Sequence, residues 1–88
     1  MTEPRVPFTR LREILTDLGF CEVGLPGNHV AFEHDASDAF LAMPKYRLNQ
    51  YVAPHHLIMV RTQLDARGIL DADEFDERLE TDAARRPA

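Results

Sequence analysis

Phe8, Leu11, Ile14, Leu15 and Leu18 recur at steps of three and four, the spacing that lays apolar side chains along one stripe of a helix. Pro7 suits a first helical turn and Gly19 the left-handed position just past the last one. Together they predict a helix over 7–18. A period of two follows. Cys21, Val23 and Leu25 alternate with Glu22 and Gly24, Pro26-Gly27 supplies a turn, and Val30 and Phe32 alternate with His29, Ala31 and Glu33. Asp35-Ala36-Ser37-Asp38 forms a second turn before a third short strand over 39–43. Three strands joined by such short turns predict an antiparallel meander. Phe8, Leu11, Phe32 and Phe40 are core candidates, and Cys21, set in an apolar alternation, reads as a core thiol.

Pro44 ends the third strand. The polar and aromatic segment from Lys45 to Tyr51 shows no period and reads as a loop. Pro54 opens a second helix with Leu57, Val60 and Leu64 as its apolar face, closed by Gly68 with Ile69 as the hydrophobic contact. Asp71 and Glu74 have capping-box spacing for a last short helix carrying Phe75 and Leu79, too few apolar positions for a central element. The expectation is an α+β fold: helix, three-stranded antiparallel meander, helix, with two helices over one sheet face and the other face wet. Residues 1–70 form the domain, and residues 71–88 an acidic C-terminal helical extension.

Composition narrows the class. Eighty-eight residues, 44% hydrophobic and 28% charged, suffice for one domain with an adequate core. No apolar run approaches the roughly 20 residues that span a bilayer, so no membrane partner is expected. The first residues lack the features of a signal peptide, and the lone Cys21 has no partner for an internal disulfide. These point to a cytoplasmic protein. The net charge is −5, yet residues 1–70 carry seven basic and eight acidic side chains, so most of the excess lies in the tail. A basic stripe of the kind that marks nucleic-acid binders is missing from the chain as a whole, but the domain itself is near neutral.

If Val30 and Phe32 face the helices, His29, Ala31 and Glu33 face solvent. An imidazole exchanges its proton near neutral pH, as a general acid or base must. The plain alternative is a surface histidine without a role.

Gly19-Phe20, the stretch from Gly27-Asn28-His29 to His34, Met43-Pro44, and the ending Leu64-Asp65-Ala66-Arg67-Gly68-Ile69 resemble the HicA toxin family, also called YcfA-like. The resemblance spans residues 11–70. It implies a double-stranded-RNA-binding-domain-like fold with the same element order. It also implies a toxin–antitoxin system in which a small endoribonuclease cleaves mRNA and a partner antitoxin silences it. In the family a Gly-Ser-His or Gly-Asn-His step opens the second strand and its histidine is catalytic. Gly27, Asn28 and His29 hold those positions here. The chain departs from the family in its acidic balance, in Val30 after the histidine, in the long segment from Lys45 to Pro54, and in residues 71–88.

The chemistry so implied is attack of an RNA 2′-hydroxyl on its own phosphodiester. It needs proton-transfer groups and cationic or amide donors for the phosphate. His29 is the catalytic candidate. Gly27, Asn28, Lys45, Arg47 and His55 are the RNA-binding candidates, with His55 and His56 at a helix N-terminus that attracts phosphate. Tyr46 or Tyr51 is a candidate for base stacking. His34, five residues from His29, belongs to the opposite sheet face, and Glu33 lies about 13 Å along the strand. No metal or other cofactor is expected: His55 and His56 diverge around a helix, and His29 and His34 oppose each other. The rival expectation is a non-catalytic RNA- or protein-binding module on the same fold.

Overall fold

A computed structural model describes the chain over residues 5–85 and its side chains as far as residue 80. The elements run α1 (Phe8–Asp17), β1 (Cys21–Leu25), β2 (His29–His34), β3 (Ala39–Pro44), α2 (Pro54–Ala66) and α3 (Ala72–Arg85). The strands form one antiparallel sheet in the order β1-β2-β3. This is the α+β arrangement that the periodicities predict.

The helix α1 buries Phe8, Leu11, Ile14 and Leu15, the expected stripe. Its C-terminus closes through Gly19, whose φ of 98° excludes most side chains, while the Phe20 N–H donates to the Leu15 carbonyl at 2.9 Å. Its N-terminus is closed from a distance. The N–H groups of Phe8 and Thr9 donate to the carbonyls of Gln50 and Leu48 at 2.8 and 3.0 Å, and the Val52 N–H donates to Val6 at 2.8 Å. Pro7 and Tyr51 meet there in an isolated antiparallel bridge. Residues 45–53 therefore do more than connect β3 to α2. Their carbonyls satisfy donors that a helix leaves open at its start.

On the sheet, Val30, Phe32, Leu41 and Met43 face the helices and join Leu11, Ile14, Leu15, Leu57, Val60 and Leu64 in one cluster. His29 is exposed and Phe32 fully buried, as the alternation requires. The far face is open but not polar. The pairs Val23↔Ala31, Ala31↔Ala42, Leu25↔His29 and Glu33↔Phe40 place Cys21, Val23, Leu25, Phe40, Ala42 and Pro44 beside His29 and Glu33. Three expectations are corrected here. Cys21 is exposed rather than a core thiol, because it pairs with Glu33 and shares the outer face. Phe40 is 53% exposed rather than core, because the strand turns Ala39, Leu41 and Met43 inward. Ala31 faces outward yet is fully buried, since its methyl is flanked by Val23 and Ala42 on the neighbouring strands.

The last helix also differs from its expected place as an appendage. Phe75 is 1% exposed, and it joins the same cluster as Leu79 and Leu70. Two large apolar residues four apart are enough to dock a helix when they meet an apolar groove on α2. The bidentate pair from Arg61 Nε and a terminal nitrogen to both Asp76 oxygens, each at 3.0 Å, adds orientation. Both partners are largely exposed, so water screens that pair and the aromatic carries the attachment. Phe75→Ala is expected to destabilise the fold by roughly 3–5 kcal/mol, a large share of the stability of a domain this small. Urea denaturation checks this. A change below about 1 kcal/mol would show that α3 is detachable.

Candidate functional site

His29 follows a turn that dictates its neighbours. Gly27 and Asn28 both adopt positive φ, 77° and 66°, and glycine and asparagine are the residues that tolerate this best. The backbone thus accounts for both residue types without any activity being invoked. His29 Nδ1 lies 2.9 Å from the Gly27 carbonyl oxygen. A carbonyl only accepts, so Nδ1 carries the proton and donates. In the neutral ring Nε2 then holds the lone pair. Among the described residues, Nε2 has no partner.

On the other side of this turn lies an open cleft of about 670 Å³, walled by Phe8, Arg12, Glu22, Asn28, Lys45, Tyr46, Arg47 and Leu48. The fold therefore brings together three of the expected RNA-binding residues, Asn28, Lys45 and Arg47. The Lys45 N–H donates to the Asn28 carbonyl at 3.1 Å, tying the cleft to the turn. Gly27 serves the turn itself. His29 is one residue from the wall, on the open sheet face, and His55 lies outside the lining.

Tyr46 is not a base-stacking platform. Its ring stacks on Phe8 at 5.6 Å, and its hydroxyl accepts from the Ala53 N–H at 3.0 Å and is hydrogen-bonded to His56 Nδ1. Tyr51 is exposed, with the Arg5 guanidinium 5.7 Å from its ring centre. The start of α2 is also poorer in donors than expected. Pro54 has no N–H, and those of His56 and Leu57 both go to the Ala53 carbonyl, which leaves the His55 amide. The His55 ring rests against His56 at 4.1 Å.

His34 occupies the helix-facing side of the sheet, as its spacing from His29 requires. Its Nε2 donates to the Leu18 carbonyl at 3.0 Å and Nδ1 meets the Ser37 hydroxyl at 2.8 Å, so it pins the β2–β3 turn to the end of α1. Among the described residues, no three His, Cys, Asp or Glu side chains gather as metal ligands would, and no helix is long and apolar enough to cross a membrane.

Two wall residues escaped the sequence reading. Arg12 sits on the polar side of α1 and its Nε donates to Glu22 Oε1 on β1 at 2.7 Å. Neither residue carries a local signal, because only the packing of α1 over the sheet sets them opposite Lys45. No protein-family model, curated protein or solved structure matches the chain.

The proton affinity of His56 is lowered by its surroundings. Burial first, and the neighbouring His55 second, lower its pKa from 6.5. The folded state therefore favours the neutral ring. The stability this contributes is complete above the unfolded value near 6.5 and is lost as pH falls below it. Thermal unfolding followed from about pH 7.5 to 5.5 should show a falling midpoint. In His56→Gln, which keeps a hydrogen-bonding partner for Tyr46, the fall should be shallower. Parallel curves would exclude His56 as the source.

Proposed function

We propose that this protein is a HicA-like ribonuclease that cleaves mRNA without a metal ion, with His29 as its general acid or base and an antitoxin protein as its partner. The observation that carries the reading is the state of His29. It is exposed, oriented through Nδ1 by a main-chain carbonyl, and its Nε2 has no partner among the described residues, while its chain neighbour Asn28 lines a cleft with Lys45 and Arg47. A fixed ring and a defined tautomer are what a proton acceptor needs, and the cations of the adjoining cleft would hold the RNA backbone.

In this reading the RNA 2′-hydroxyl gives its proton to Nε2 as its oxygen bonds to phosphorus. The bond to the 5′-oxygen breaks, and that oxygen takes a proton from the imidazolium or from water. The products are a 2′,3′-cyclic phosphate and a 5′-hydroxyl. Lys45 and Arg47 offset the charge that gathers on the phosphate oxygens. Glu33 is too far along β2 to act as the second group.

One observation favours a second reading, a non-catalytic interaction module. The face around His29 is largely apolar, with Val23 and Phe40 exposed, and such a surface suits a protein contact as well as it suits RNA. The two readings part at His29. In the first, the purified protein cleaves single-stranded RNA in chelator and slows bacterial growth when induced alone. His29→Ala should then lower cleavage by about 10²–10⁴-fold with the fold retained, checked by circular dichroism. Cleavage that survives unchanged in His29→Ala would remove the catalytic assignment. Wild-type protein that neither cleaves nor harms would favour the interaction module.

A further inference from the structure

Before α3, most basic side chains in the described structure are already engaged. Arg5 lies over Tyr51, Arg12 meets Glu22, Arg61 meets Asp76, and Arg67 donates to the Ser37 carbonyl. Arg10 reaches Glu13 and the Arg78 carbonyl. Lys45 and Arg47 are the two whose side chains have no partner among the described residues, and both line the same cleft. Their backbones are held in place. Lys45 is tied to Asn28, the Arg47 N–H donates to Gln50 Oε1 at 3.2 Å, and Tyr46 between them is anchored at both ring and hydroxyl. Two free cations thus flank a fixed aromatic on a loop that cannot easily turn them away.

Across the cleft the Arg12–Glu22 pair has a different character. It uses one nitrogen, Nε, at 2.7 Å, and leaves the paired terminal nitrogens of the guanidinium without a partner among the described residues. Both side chains are substantially exposed, at 48% and 31%, so the pair is readily exchanged in water. Glu22 is also the one acid in the wall. A phosphodiester offers Arg12 the two-pronged contact that the single oxygen of Glu22 does not, and it enters a field already set by Lys45 and Arg47.

We propose that the cleft is a phosphate track for the RNA backbone in which Arg12 is a ligand held in reserve by Glu22, released when a phosphate enters and displaces the carboxylate. The inference rests on the ribonuclease reading for the identity of the polyanion, but the track binds phosphate whether or not His29 cleaves. Glu22 lowers affinity for any polyanion, so short or weakly charged ligands fail to open the pair. Asn28, on the wall and at the turn, links the track to His29 through the chain.

The test uses full-length His29→Ala protein, which keeps RNA intact, with a short fluorescein-labelled single-stranded RNA and, separately, inorganic tripolyphosphate. Binding is measured by anisotropy or calorimetry across a salt series. Glu22→Gln should tighten both ligands by about fivefold, the scale of one unit charge removed at contact distance in water. Arg12→Gln should weaken both and reduce the slope of log affinity against log salt by about 0.7 for the RNA, one phosphate contact on a single strand. The loss from Arg12→Gln should be larger in the Glu22→Gln background than in its presence, because no carboxylate then has to be displaced. Equal losses in the two backgrounds would show that Glu22 acts only as a distant charge, and would overturn the reserve-ligand mechanism. Absence of binding to either ligand in the Glu22→Gln protein would overturn the track itself. Tripolyphosphate binding with the expected coupling, alongside wild-type protein that never cleaves RNA, would leave the track standing and remove the ribonuclease reading. Cleavage by wild type with Arg12 and Glu22 both silent in binding would do the reverse. Both substitutions are at exposed or half-exposed positions, and matched unfolding curves confirm that each variant is folded.

Discussion

The start of α1 has donors that its own helix cannot satisfy, and the structure meets that need with the carbonyls of Leu48 and Gln50. Much follows from this one constraint. To deliver those carbonyls the segment after β3 must travel back across the front of α1, which explains its length. In doing so it carries Tyr46 onto Phe8, and the Tyr46 hydroxyl then takes the Ala53 N–H just ahead of α2. The beginnings of both helices are thereby fixed by one stretch of chain. The side chains that this stretch has no use for internally, Lys45 and Arg47, are left pointing into the cleft.

The element order was legible because each device that sets it is local. Three- and four-residue spacing marked α1, Gly19 and Gly68 marked the helix ends, and Pro26-Gly27 marked the first hairpin. What escaped depends on pairing. Nothing in the run from Cys21 to Leu25 says which of its two alternating sets faces inward. Glu22, from the set that looks polar, lies on the helix side to meet Arg12, while the apolar set looks outward. Phe40 and Leu41 posed the same choice one residue apart, and the core took Leu41. For α3, composition understated the role of two residues, since burial depends on the groove they enter rather than on their number.

The candidate site was partly legible for a related reason. The Gly27-Asn28-His29 step stands out in the sequence, but the turn needs the first two residues for its positive φ angles. What the turn does not require is the imidazole. A histidine whose Nδ1 is occupied by the turn's own carbonyl has its outward nitrogen chosen for it, a detail of tautomer that no linear pattern contains. The two cations were visible in the sequence, and their convergence with Arg12 was not, because helix and loop are more than 30 residues apart along the chain.

The open face of the sheet has a consequence for how copies of the molecule behave together. Apolar side chains there sit between two strand edges that carry no further strand, the kind of surface on which chains stack edge to edge. What opposes that stacking is charge: most of the chain's negative excess lies in the sequence of residues 71–88, and like-charged copies repel. Repulsion of this sort reaches only about 8 Å at physiological salt. Added salt would screen that repulsion while leaving the apolar attraction of the open face in place.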